Sequence, residues 1–114
     1  MKRVLIVDDE PVIRSLVVAS LAAADCEVAA APDGPSAFAA LANNRPDLIL
    51  LDLGLPGIPG EAILNQLRVD PATASIPVLV LTGREPPENM APDGFLAKPF
   101  TPRHLREAVS PFIS

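Results

Sequence analysis

The 114 residues contain no tryptophan, no tyrosine and a single cysteine. One cysteine excludes an internal disulfide. Cys26 opens an apolar segment with no basic neighbour to lower its pKa, so it reads as a buried structural thiol. Long apolar runs are also missing: none reaches the ~18 residues of a membrane helix, and no span is expected. Basic charge is sparse. Nine Lys and Arg against fourteen Asp and Glu leave a net charge of −5, with no basic cluster beyond Lys2-Arg3. Nucleic-acid binding needs a basic stripe, so direct binding is not expected. In the opening MKRVLIVDDE the acids come too early for a secretory apolar core, and no small-residue cleavage site follows. It reads as the first strand of a cytoplasmic protein.

Apolar residues are plentiful, at 49%, with 20% charged, which is a globular composition. The length suits one domain, residues 1–114, able to bury a core without disulfide or metal staples. The fourteen prolines fall mainly at element boundaries and in loops, where they act as punctuation. Strand-like runs occupy 3–7, 27–31, 48–52, 78–82 and 95–97. Three of them are nearly continuous in Val, Leu and Ile, as expected for strands buried on both faces of a parallel sheet. Between them lie helical patterns at 11–24, 35–43, 60–68 and 102–113. The last carries Leu105, Ala108, Val109 and Phe112 on one stripe, with Thr101 as N-cap and Pro102 at the first position. Pro111 is expected to fray its end. Strand and helix alternate throughout, so the expected fold is a doubly wound α/β sheet.

Ligands in such sheets bind at the carboxyl ends of the strands. Asp8 and Asp9 end the first strand, Asp52 the third, Thr82 the fourth and Lys98 the fifth. These residues are scattered along the chain but converge on one rim. Three nearby acids repel and raise one another's pKa, and a hard divalent cation relieves that repulsion. Mg²⁺ fits, because it accepts one or two carboxylates and keeps waters and a phosphate oxygen. Gly54, in the loop LGLPGIPG after Asp52, is placed to offer a backbone carbonyl. Lys98 can pair with Asp52 or with a phosphoryl oxygen, and Thr82 offers a hydroxyl to the same group. The set suits phosphoryl transfer onto a carboxylate, with Asp52 attacking in line.

VLIVDDEP, DLILLDLGLPGIPG, VLVLTG and GFLAKPF together resemble the response-regulator receiver domains of two-component signalling, across essentially the whole chain. The resemblance implies a flavodoxin-like sheet of five parallel strands, in order 2-1-3-4-5, with helices on both faces. It implies Asp52 as phospho-acceptor, Asp9 bound directly to Mg²⁺, Asp8 bound through water and Gly54 supplying the carbonyl. Thr82 would be the switch hydroxyl, Lys98 the family lysine and Phe95 an aromatic switch, although Phe95 also reads as plain core. Gly54 and Arg84 would tune dephosphorylation. The implied donor is a phosphohistidine on a sensor histidine kinase or phosphotransfer protein. Output would pass to a protein partner that the sequence does not name.

Two departures stand out. Where the family has Asp-Gly after the acceptor loop, this chain has Pro59-Gly60, and Pro59 presets entry into the next helix. In GREPPENMAPDG, residues 83–94, Pro86, Pro87 and Pro92 forbid the multi-turn helix that the family places between strands four and five. That helix is expected to be short or absent, with at most one turn near Glu88 to Met90, as in a subset of receivers with a Thr-Gly pair here. The segment is expected to order when Thr82 moves. His104, Arg103/Glu107 and Glu10/Arg14 read as solvated helix faces. The rivals are a pseudo-receiver that is never phosphorylated and an aspartate-nucleophile phosphohydrolase. The second would need another acid where Gly54 stands. A cut from a longer regulator also stays open.

Overall fold

A computed structural model describes residues 1–85 and 90–113. Its elements run β1 (Lys2–Val7), α1 (Pro11–Ala22), β2 (Cys26–Ala31), α2 (Gly34–Asn43), β3 (Leu48–Asp52), α3 (Gly60–Val69), β4 (Val78–Thr82), β5 (Gly94–Ala97) and α4 (Pro102–Ile113). The strands form one parallel sheet in the order β2-β1-β3-β4-β5, as the sequence resemblance implies. Every residue of β3 and β4 is buried, which accounts for their unbroken apolar sequences. The edge strands β2 and β5 carry small or half-exposed residues instead.

Alternation along the strands sorts the core into two layers. Leu5, Val7, Ile49, Leu51, Val78 and Val80 pack against the face that Ala37 and Ile63 cover from α2 and α3. Val4, Ile6, Leu50 and Leu81 face the other side, against Val17 and Leu21 of α1 and Leu105 and Val109 of α4. Side-chain caps begin two helices. The Asp33 carboxylate accepts the Ser36 N–H at 2.9 Å, which holds that acid below its ordinary pKa, and Thr101 Oγ1 accepts the His104 N–H at 3.1 Å.

Three local expectations are corrected. Helix α1 ends at Ala22, short of residue 24, because Ala24 and Asp25 turn back onto the Leu21 and Ala22 carbonyls. Asp25 then takes a left-handed φ of 60° to lead into β2. Pro111 lies inside α4, which runs on to Ile113. So close to the end, its missing N–H removes one intrahelical bond and does not end the helix. Arg14 does not pair with Glu10. Its guanidinium donates to the Asp8 carbonyl at 2.7 Å, and Glu10 turns to Lys98.

Between β4 and β5, residues 83–85 and 90–93 carry no helix. Most of the single turn anticipated near Glu88 to Met90 falls outside the described residues. The crossover is anchored at its far end by Asp93. The Asp93 carboxylate accepts the Val78 N–H at 2.8 Å and pairs with Arg68 of α3 at 2.8 Å, while its own N–H donates to the Val78 carbonyl at 2.9 Å.

Candidate functional site at the carboxyl rim of the sheet

The parallel register brings four strand ends level. Val7 pairs with Leu51, Asp52 with Leu81, and Thr82 with Ala97. Asp8, Asp52, Thr82 and Lys98 therefore arrive at one rim, as the spacing implied. The Lys98 N–H donates to the Thr82 carbonyl at 2.8 Å, which extends the β4–β5 ladder by one residue and fixes where the lysine starts.

Lys98 is the hub. Its ammonium lies 2.8 Å from Asp8 Oδ2, 3.3 Å from Asp52 Oδ1 and 3.4 Å from Glu10 Oε1. Asp8 is fully buried, Asp52 nearly so, and Asp9 and Glu10 are exposed. Asp8 Oδ1 also accepts the Glu10 N–H at 2.9 Å, and Asp52 Oδ1 the Gly54 N–H at 3.2 Å. Burial pushes the Asp52 carboxyl above the usual range. The Gly54 N–H opposes that rise, the Asp8 charge adds to it, and Lys98 only partly compensates. Burial alone would pull the Lys98 ammonium down. The hydrogen bond and charge of Asp8, with those of Asp52, outweigh it and raise the pKa.

The oxygen donors fit a hard divalent cation. Among the described residues, Asp8, Asp9 and Glu10 place carboxylate oxygens within 4.8 Å of one another. One ammonium is paired with three acids, Asp8, Glu10 and Asp52, while Asp9 stands beside them without a basic partner among the described contacts. Glu10 was missed as a member of this cluster. Its signal was present in the DDE triplet, but the helical spacing to Arg14 suggested a different partner. Asp52 lies outside that tight acidic group, next to Lys98.

An open cleft is lined by Asp9, Glu10, Asp52, Gly54, Thr82 and Lys98. The Thr82 hydroxyl does not bond Asp52. It donates to the Arg84 carbonyl at 2.8 Å and accepts the Arg84 N–H at 3.1 Å. Phe95 shares the Val80 face of the sheet and is 45% exposed in a second groove beside Thr82. Its reading as plain core is thereby corrected: among the described residues no helix covers that part of the face. Gly60 is a further residue that sequence reasoning undervalued. A Cβ there would stand 2.6 Å from the Asp52 carbonyl oxygen and 2.8 Å from Leu53 Cα, so only glycine lets α3 start this close to the end of β3.

Residues 4–110 match the model of the response regulator receiver domain, and the chain belongs to that family. It is 37% identical to the phosphate regulon transcriptional regulatory protein PhoB of Pseudomonas aeruginosa, over 91% of this chain and 48% of that protein. It is 44% identical to the response regulator PleD of Caulobacter vibrioides over 70% of this chain and 18% of that one. The chain thus spans about half the length of PhoB, or less of PleD. The structure of the chemotaxis protein CheY4 of Vibrio cholerae superposes with a TM-score of 0.91 at 32% identity, covering 99% of both chains. That of the response regulator TrrA of Thermotoga maritima, in complex with Mg²⁺-BeF, superposes at 0.87 and 29% identity, covering 99% of this chain and all of that one. Among the described residues no helix is long and apolar enough to cross a membrane.

Proposed function

We propose that this chain accepts a phosphoryl group on Asp52 from the phosphohistidine of a sensor kinase or phosphotransfer protein, and signals by binding a protein partner in the phosphorylated state. The observation that carries this reading is the buried Asp52 carboxylate held 3.3 Å from a Lys98 ammonium, both of them lining one open cleft. In the reaction an Asp52 oxygen forms a bond to phosphorus as the P–N bond breaks. The bonding pair leaves with the imidazole nitrogen, which takes a proton from solvent.

The chain's residues supply positioning and charge. The Gly54 N–H and Lys98 orient the attacking carboxylate, and Lys98 lies within reach of a phosphoryl oxygen once one is present. Asp8, Asp9 and Asp52, with the Gly54 carbonyl, would hold Mg²⁺, and Glu10 extends that oxygen set. When bound, Mg²⁺ would neutralise charge on the transferring group. The complex of TrrA with Mg²⁺-BeF supports this reading by similarity. Gly54 stands two residues after Asp52, where a phosphohydrolase needs a second acid, which favours the phospho-accepting reading over hydrolysis of phosphate esters.

Acetyl phosphate with Mg²⁺ tests the proposal. Intact mass spectrometry is expected to show a gain of one phosphoryl group, absent from Asp52→Asn and from wild type without Mg²⁺. No gain in the wild type, or an equal gain in Asp52→Asn, would overturn it.

A further inference from the structure

The Thr82 hydroxyl is engaged both as donor and as acceptor by the Arg84 backbone, at 2.8 and 3.1 Å. The Arg84 side chain then reaches Glu61 Oε1, at 3.3 Å, in the first turn of α3. These contacts chain Thr82 to the helix that follows the Asp52 loop, beside the cleft that Arg84 lines. Glu61 is the only acid paired with Arg84 among the described residues. Space is open beside Gly83, where a Cβ would meet nothing within 4 Å. The chain of contacts is also releasable, because both of its charged side chains are solvent-accessible and such pairs are weak.

We propose that Glu61 is a positioning residue. Through its ion pair with Arg84 it holds residues 83–85 in the arrangement that keeps the Thr82 hydroxyl off Asp52, and so works against the phosphorylated arrangement. The inference rests on the phospho-accepting reading above. Releasing the strap frees Thr82 to donate to a phosphoryl oxygen, so the phosphoryl-loaded state gains what the unloaded state no longer holds. A weak exposed pair limits the gain to about two- to fivefold in affinity for a phosphoryl mimic.

The test measures the affinity of beryllofluoride, with saturating Mg²⁺, by amide NMR shifts on the full chain. The proteins compared are wild type, Glu61→Gln, Arg84→Gln and the double variant. Glu61→Gln is expected to bind about two- to fivefold tighter than wild type, with the ratio falling toward one in high salt. In the Arg84→Gln background the same change is expected to do nothing, an outcome that a merely structural role for Glu61 would not produce. Glu61→Ala gives a second reading of the same contact should the glutamine variant fold poorly. If wild type binds but Glu61→Gln binds equally or more weakly, the strap is overturned and the receiver reading stands. An undiminished gain without Arg84 also overturns it. If wild type itself does not bind, the phospho-accepting reading falls, and this inference with it.

Discussion

Burial works against the charge on Asp52. With its carboxyl held above the ordinary range by desolvation and then by Asp8, the charged form is less favoured in the native fold than in the unfolded chain. A pKa higher in the folded than in the unfolded state gives a contribution that is complete below the unfolded value and lost as pH rises through the folded one. At neutral pH Asp52 therefore costs stability. Asp52→Asn is expected to raise the Tm by a few degrees at pH 7 without Mg²⁺, as Lys98 keeps Asp8 and Glu10. The advantage should shrink as pH falls from neutrality toward the ordinary carboxylate range and be gone below it. Thermal melts across that range check it, and a destabilised Asp52→Asn at pH 7 would show that Lys98 more than offsets the burial.

At the scale of elements, the start of α3 and the crossover into β5 deserve separate tests. Gly60→Ala adds helix propensity worth about 1 kcal/mol. It also drives a methyl group into backbone atoms of Asp52 and Leu53 that cannot yield. Overpacking of this kind costs about 1–3 kcal/mol. The variant is expected to be less stable in urea titration, with shifted Leu53 and Gly54 amides. The Asp93 clamp takes over the job of fixing the crossover to β4 and α3. Asp93→Ala leaves the Val78 N–H and Arg68 without their shared acceptor, a loss of about 1.5–3 kcal/mol for bonds to a charged group. Hydrogen exchange should then quicken at Val78 and across 90–97 while β1 and β3 stay protected.

Across the whole molecule, the sheet gathers Asp8, Asp9, Glu10 and Asp52 around one lysine, on a chain that already carries a net charge of −5. A cation that binds only the folded rim stabilises the fold by mass action, by about 2.7 kcal/mol at a hundredfold excess over its Kd. Millimolar Mg²⁺ is therefore expected to raise the Tm and a chelator to reverse the rise. Asp9→Asn should reduce the increment more than Glu61→Gln, because Asp9 belongs to the acidic cluster and Glu61 does not. Equal Mg²⁺ responses in the two variants would argue against a cation site at this rim.

Much of this was legible in the sequence, because it depends on local rules. Hydrophobic periodicity marked all five strands and four helices, Thr101 and Pro102 announced α4, and the prolines of residues 83–94 spoke against a multi-turn helix there. Once the strands are parallel, Asp8, Asp52, Thr82 and Lys98 must meet, since a sheet aligns its carboxyl ends whatever the loops do. Which atoms touch was decided only by the tertiary structure. Lys98 sits closer to Asp8 than to Asp52, Glu10 abandons its helical neighbour for Lys98, and Phe95 is left in the open. The Thr82 hydroxyl turns to Arg84, and Gly60 is pressed against the backbone of Asp52. Each of these turns on separations of a few ångströms between residues up to ninety positions apart. Such distances are set by how helices and loops pack on the sheet, and periodicity along the chain carries no record of them.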